Sequence, residues 1–282
     1  MKVIAHPDKL NKALKGLKHR GANIGFVPTM GALHLGHLSL IKQAVRDNKI
    51  VVVSIFVNPA QFGPKEDLHK YPRPLKRDLA LCKAAGVDLV FCPQQKSMYL
   101  PGFATYVEVN GMSNLLCGAA RPGHFRAVAT VVAKLLNIVR PDLLYLGQKD
   151  AQQAMIIKKM VRDLNFPVKV KVVPTVRQID GLALSSRNAY LTSAEKIKAL
   201  VLVKALLLAK SLIVHGQRDA GRIIRRMKEL INKKQQVKID YVAIVDLAEL
   251  KPVKKINQPC LIALAVYIGK TRLIDNGIVN YV

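Results

Sequence analysis

Ile24-Gly25-Phe26-Val27-Pro28-Thr29-Met30-Gly31-Ala32-Leu33-His34-Leu35-Gly36-His37 is the stretch on which the fold turns. It begins as a short apolar run ending at Pro28. From about Gly36, residues Leu38, Ile41, Ala44 and Val45 recur on one face of a helix. A strand, a glycine-containing loop and a helix in that order open a βαβ unit. In an open α/β sheet, ligands bind outside the carboxyl ends of such strands. The next apolar run, residues 50–57, is continuous and β-branched, the pattern of a strand covered on both sheet faces.

The alternation continues outward. A loop carrying Pro59 and Pro64 is followed by a helix near 75–85 and a strand at 89–91. Beyond a Gly/Pro-rich stretch come a helix at 127–139 stopped by Pro141, a strand at 143–146, a helix over about 150–164 and a strand at 168–173. Strands alternating with helices of this length predict an α/β fold, a Rossmann-like parallel sheet with helices on both faces. After Pro174 the pattern changes. A Gly/Ser-rich loop precedes helical stretches at about 193–214 and 219–234, then strands at 237–245 and 261–268 and a short one at 272–274. These read as a smaller C-terminal α+β unit with antiparallel pairing. The division is expected at residue 176, giving units 1–176 and 177–282.

Half of the 282 residues are apolar, enough for a substantial core, so disorder is excluded. The 45 Lys and Arg against 18 Asp and Glu leave a formal charge of +27, which asks for an anionic partner or a solvated surface. Residues 1–176 hold 26 basic and 10 acidic residues, and 177–282 hold 19 and 8, so the excess is diffuse. No run of Lys or Arg exceeds two and no RNA-binding module is recognisable, so specific nucleic-acid binding is not expected. Cys82, Cys92, Cys117 and Cys260 form no C-x-x-C pair, which fits free thiols in a reducing cytoplasm. The N-terminus lacks a signal-peptide core, and no apolar run approaches the roughly 20 residues needed to span a bilayer. A cytoplasmic protein without membrane attachment is expected.

His34 and His37, three apart at a helix start, fall on the same side of its first turn. Gly36 lets a ligand approach the backbone, and the free N–H groups of the helix start favour phosphate. The alternative is a pair of surface or metal-binding histidines, and a metal is disfavoured because no carboxylate or Cys accompanies them in the motif. The strand–H-x-G-H–helix context resembles the HIGH signature of the nucleotidyltransferase superfamily. Three more blocks follow: Val53-Ser54-Ile55-Phe56-Val57-Asn58-Pro59-Ala60-Gln61-Phe62, Gly147-Gln148-Lys149-Asp150-Ala151-Gln152-Gln153 and Leu182-Ala183-Leu184-Ser185-Ser186-Arg187-Asn188. In this order and spacing, with Arg272-Leu273-Ile274-Asp275-Asn276 near the end, the chain resembles the pantothenate synthetase (pantoate–β-alanine ligase) family.

That resemblance implies a two-step reaction. Pantoate attacks the α-phosphorus of ATP to give pantoyl adenylate and pyrophosphate, and β-alanine then displaces AMP to give pantothenate. It implies catalytic roles for His37 (as proton donor), His34 and Lys149. ATP is implied to lie on Met30, Gly31, Ala32, Leu33, His34, Leu35, Gly36 and His37, on Gly147, Gln148, Lys149 and Asp150, and on Ser185, Ser186 and Arg187. Val176 and Leu184 are implied to flank the adenine. Gln61 and Gln153 match pantoate-binding positions, and Gln61 also lies near β-alanine. Gln148 stands where the family commonly has Glu, and Ala127 where it commonly has Gly. Asp150 could alternatively be a plain N-cap, and Ser185-Ser186 an ordinary turn. Arg121-Pro122-Gly123-His124-Phe125-Arg126 resembles a family segment near the active-site wall, and its basic residues either assist anions or cap the following helix. The chemistry calls for Mg²⁺, held largely by substrate phosphates and water, with metal ligands unassigned and Asp78 or another carboxylate as a candidate contact. The resemblance also implies a homodimer. Two other readings compete: an RNA-binding or aminoacyl-tRNA-synthetase-like protein, and a nucleotidyltransferase that forms no amide.

Overall fold

The continuous apolar runs become the inner strands of a six-stranded parallel sheet. The computed structural model describes residues 1–63, 66 and 68–280, so Pro64 lies outside the described residues. In chain order the first unit comprises β1 (Lys2–Ile4), α1 (Pro7–His19), β2 (Ile24–Thr29), α2 (Leu35–Asp47), β3 (Ile50–Ile55), α3 (Leu75–Ala84) and β4 (Leu89–Phe91). The short helices α4 (Gln95–Met98) and α5 (Cys117–Ala120) precede α6 (His124–Val139), β5 (Leu143–Gly147), α7 (Ala151–Asp163) and β6 (Lys169–Val173). The strand order is β1-β4-β3-β2-β5-β6. From β2 the chain winds one way through β3 and β4, then returns to place β5 on the other side. The reversal lies between β2 and β5, and at such a switch point the flanking loops diverge and leave a crevice.

Both sheet faces are covered, as the β-branched runs predict. Phe26, Val52, Leu89, Phe91, Leu144 and Leu146 face α1, α6 and α7. The alternate residues Val27, Val51, Val53, Val90 and Tyr145 meet α2 and α3. Pro7 at the first helical position, Asp8 in the first turn and Lys18 and His19 in the last favour α1, which buries Leu10 and Leu14.

The second unit is a three-stranded antiparallel sheet, β7 (Val237–Asp246), β8 (Cys260–Ile268) and β9 (Thr271–Val279), with helices α8 (Ser193–Ala199), α9 (Val201–Val214) and α10 (Ala220–Asn232). Two expectations need correction. The helix expected over 193–214 breaks at Leu200. Leu200 stands between α8 and α9, and its neighbours Ala199 and Val201 are both buried in the core of the second unit. The strand expected at 272–274 spans nine residues, because β8 supplies a partner along its whole length.

β8 also joins the two units. Ile262, Leu264, Val266 and Ile268 pack on the helices of the second unit. Leu261 and Ala263, on the opposite face, enter the core of the first. At the start of the second unit, Arg177 makes a two-pronged pair to Asp275 on β9, at 2.7 and 2.9 Å. The four cysteines are free thiols, and among the described residues no helix is long and apolar enough to cross a membrane.

Candidate active site

The loop leaving β2 forms the first wall of a cleft at the switch point. Gly31 (φ 81°) and Ala32 (φ 50°) both take left-handed backbone conformations, which turn successive N–H groups toward one side. The N–H groups of Ala32 and Leu33 donate to the two carboxylate oxygens of Asp78, each at 2.8 Å. Asp78 reaches them from α3 and is only 1% exposed. A Cβ at Gly31 would lie 2.9 Å from its Oδ2, so the loop and the carboxylate fit only with glycine there.

The loop delivers His34 to the N-cap of α2, where the two histidines cap the helix between them. His34 Nδ1 accepts from the N–H of Gly36 at 3.1 Å, and His37 Nδ1 accepts from the N–H of His34 at 3.3 Å. Each neutral ring therefore carries its proton on Nε2 and has one N–H left to donate. The rings lie 4.1 Å apart between centroids. Burial lowers the pKa of His34 to about 4, with the nearby Lys149 charge acting in the same direction. Burial and the His34 neighbour lower that of His37 to about 3. At neutral pH the pair is thus two uncharged hydrogen-bond donors. Nothing in their spacing alone foretells that.

The loop after β3 forms the second wall. Asn58, fully buried, caps the short turn Pro59–Gln61 and donates through Nδ2 to Gln61 Oε1 at 3.3 Å, while Tyr99 OH donates to Asn58 Oδ1 at 2.9 Å. The Gln61 carbonyl accepts from His124 Nδ1 at 2.8 Å and from Arg121 Nη2 at 3.3 Å. Arg121 also contacts His124 Nε2 at 2.9 Å, and burial followed by the Arg121 charge lowers the His124 pKa to about 4. Neither basic side chain caps α6, whose N-cap Gly123 has no side-chain cap. Of the two readings of this segment, helix capping falls away.

Lys149 and Asp150 emerge from the end of β5, and the Lys149 ammonium lies 3.8 Å from Asp150. Asp150 occupies the N-cap position of α7 but makes no capping hydrogen bond, so its carboxylate is available to the cleft. Asn276, on β9, donates to the carbonyls of Gln148 (3.0 Å) and Lys149 (2.8 Å) and pins this loop from the second unit. Ser185 Oγ accepts from the N–H of Arg187 at 3.2 Å, so the Ser-Ser pair does form a turn, and that turn sits on the cleft.

Met30, His34, Gly36, His37, Gln61, Gly147, Lys149, Asp150, Gln153, Val176, Leu184, Ser185, Ser186 and Arg187 all line one cleft of about 250 Å³. Sequence positions more than 150 residues apart are thus brought to one surface. Five of the expected nucleotide contacts do not line it. Gly31, Ala32 and Leu33 turn away because their loop is held by Asp78, and Leu33 is buried in the core. Leu35 points to solvent, and Gln148 meets Asn276 through its carbonyl. Asn58, Tyr71 and Thr175 line the cleft or support it without having been singled out. Asn58 was legible, since Asn before Pro is a turn-starting pair. A second, smaller cavity of about 80 Å³, under β8 and β9, shares Arg121, His124, Lys149, Asp150, Gln153, Ser185 and Arg187 with the first.

The family described as pantoate-beta-alanine ligase matches residues 2–278. The chain belongs to that family. It is 56% identical to the pantothenate synthetase of Moorella thermoacetica over 93% of each chain. It is 52% identical to that of Fervidobacterium nodosum over 99% of this chain and 100% of the relative. The ligase superposes on the pantothenate synthetase of Thermus thermophilus with a TM-score of 0.93 at 46% identity, covering 98% and 99% of the two chains. It is also similar to the Francisella tularensis pantoate-beta-alanine ligase solved with beta-gamma ATP and beta-alanine, with TM-score 0.80, 38% identity and coverage of 99% and 97%. The reaction of this ligase is the ATP-dependent formation of pantothenate from pantoate and β-alanine.

Proposed function

We propose that the cleft carries out this synthesis in two steps, through pantoyl adenylate. A pantoate carboxylate oxygen bonds to the α-phosphorus of ATP, the bond to the β-phosphate oxygen breaks, and pyrophosphate leaves. The neutral β-alanine amine then bonds to the acyl carbon, the bond to AMP breaks, and the amine proton passes to solvent. Both steps bring an anion or an amine to a centre already crowded with negative charge. The need is therefore for charge neutralisation and in-line placement more than for acid–base exchange. The observation that carries the reading is the convergence on one cleft of two Nε2–H donors, His34 and His37, with Lys149 and the Ser185–Arg187 turn.

In this reading Lys149 follows the charge of the transferring phosphate as a mobile ammonium, and the imidazoles donate to its oxygens. An incoming triphosphate favours the charged rings and opposes their burial, so proton donation by His37 becomes available as the phosphates bind. Asp150 reaches ribose hydroxyls, and Val176 and Leu184 sandwich the adenine. Gln61, fixed at both its amide and its carbonyl, and Gln153 receive pantoate, and Gln61 also neighbours the β-alanine. Ser185, Ser186 and Arg187 bring residues 177–282 over the nucleotide as a lid unit divided from 1–176.

Mg²⁺ fits the residues present. Among the described residues no cluster of three or more His, Cys, Asp or Glu side chains could cage a metal, and Asp150 is the one carboxylate lining the cleft. A hydrated ion carried by phosphates, with at most Asp150 as protein contact, matches that donor set and would neutralise phosphate charge. Asp78, which accepts two backbone N–H groups and does not line the cleft, is given no place on the ion in this reading. Homodimerisation and a cytoplasmic setting complete the proposal.

The experiment is pyrophosphate release from ATP, Mg²⁺ and pantoate, followed by β-alanine-dependent formation of AMP and pantothenate. Lys149→Ala is expected to lower turnover by at least about a hundredfold with unchanged circular dichroism. Near-normal turnover in that variant would place the site elsewhere.

A further inference from the structure

The reading of the cleft above leaves one cation without a part. Lys149 and Arg187 go to the phosphates. Arg272 is held by Asp240, at 3.0 and 2.7 Å, on the wall of the second cavity. Arg121 stands where the two cavities meet, beside Gln61 and His124. Its guanidinium already holds a carboxylate: Nε donates to Glu66 Oε1 at 2.6 Å and Nη2 to Oε2 at 2.5 Å, the fork-on-fork arrangement in which arginine binds carboxylates most selectively. Both partners are largely shielded from solvent.

A β-amino acid poses a two-point problem. Its amine has to reach the acyl carbon, and its carboxylate, roughly 4–5 Å away along two methylenes, needs a cation that is not engaged by phosphate. An amine seated beside Gln61 puts that carboxylate within reach of the Arg121 fork, since Nη2 lies 3.3 Å from the Gln61 carbonyl. His124 braces the guanidinium. Its Nδ1–H is committed to the Gln61 carbonyl, so its unprotonated Nε2 accepts from Arg121 and does not repel it. We propose that Arg121 is the carboxylate receptor for the β-alanine acceptor, and that Glu66 occupies its fork as an internal stand-in which the substrate displaces. This rests on the assignment of the cleft in the preceding subsection. The competing view is that the Arg121–Glu66 pair only anchors the loop after Gln61.

The two views predict opposite signs for one substitution. Glu66→Gln removes the competing charge and leaves the receptor intact, so the KM for β-alanine is expected to fall about threefold or more. Arg121→Gln is expected to raise it about tenfold or more, and to erase most of the preference for β-alanine over propylamine, an acceptor without the carboxylate. In both variants the KM for pantoate moves less than that for β-alanine. Arg121→Lys, which keeps the charge and loses the fork, covers the case in which Arg121→Gln does not fold and should retain only part of the preference. A rise in the β-alanine KM for Glu66→Gln overturns the proposal, as does a wild-type preference over propylamine in the Arg121 variants. Pyrophosphate release from wild-type enzyme with pantoate alone reports the adenylation step separately. Its absence would overturn the cleft assignment together with the proposal, whereas its presence beside an unmoved β-alanine KM overturns the proposal alone.

Discussion

Replacing Asp78 by Asn exchanges one carboxylate oxygen for an amide NH₂ and changes almost nothing in shape. In the native loop the two oxygens receive the N–H groups of Ala32 and Leu33, both at 2.8 Å, from a side chain 1% exposed. Asparagine can accept only one of them. The other N–H then faces a donor in a site water does not reach. A hydrogen bond to a charged group contributes about 1.5–3 kcal/mol, and a buried unsatisfied donor costs about 1–3 kcal/mol. The sum is about 2.5–6 kcal/mol, a large share of the roughly 5–15 kcal/mol that holds a domain folded. The loop also stores left-handed conformations at Gly31 and Ala32, which persist only while their surroundings demand them. Release of the loop would move His34 off its capping position, and a displacement of about 1 Å costs on the order of a hundredfold in rate. Urea unfolding followed by circular dichroism, with pantoate-dependent pyrophosphate release, measures both effects. A loss of stability below about 1 kcal/mol refutes the reasoning. So does a defect confined to the Mg²⁺ dependence of activity, which would make Asp78 a metal contact instead.

Two further outcomes follow from the same site. In Gly36→Ala the new Cβ would lie 2.8 Å from His34 Cε1 and 3.0 Å from Nδ1, so the ring must leave its cap. Turnover should fall at least about tenfold with helicity retained, and unaltered turnover would show the ring is not needed where it sits. The pH dependence of stability carries a definite sign. His37 and His124 titrate near 3 and 4 when folded but near 6.5 when unfolded. The unfolded chain therefore takes up protons first as pH falls through 6.5. The contribution is complete above that value and is lost progressively down to about pH 4 for His124 and about pH 3 for His37. Between pH 7 and pH 5 each ring should remove about 2 kcal/mol. His124→Gln should flatten the urea-derived profile by about one ring's share, and a profile as steep as wild type would count against the assignment.

Much of the architecture is readable along the chain. The run at 50–57 announces a strand buried on both faces, and Val51, Val52 and Val53 are buried there. β1 and α1 were not singled out, although Pro7 at the first helical position, Asp8 after it and the spacing of Leu10, Leu14 and Leu17 are ordinary helix-start and packing signals. β9 reads as three residues and has nine. Its interruption by Asp275, Asn276 and Gly277 hides strand character that comes from pairing with β8, a partner no local pattern reveals. The H-x-G-H loop after its strand was legible from local chemistry, whereas Gln61, Gln153, the Lys-Asp pair and the Ser-Ser-Arg turn were picked out by the family resemblance. Arg121 and His124 were not decidable, because their roles depend on Glu66 and on the carbonyl of Gln61, about 60 residues away.

By itself the sequence determined the parallel sheet, the site at its carboxyl edge and the kinds of groups gathered there. The sheet and the H-x-G-H loop follow from periodicity and local spacing, and the other groups of the cleft from the family resemblance. Only the tertiary structure decided how those groups are committed. It gave the N–H groups of Ala32 and Leu33 to Asp78 instead of a phosphate, made His34 and His37 neutral Nε2–H donors, and placed a carboxylate on Arg121. Each is a long-range pairing or a desolvation effect. Its energy depends on what lies within a few ångströms in space, which spacing along the chain does not encode.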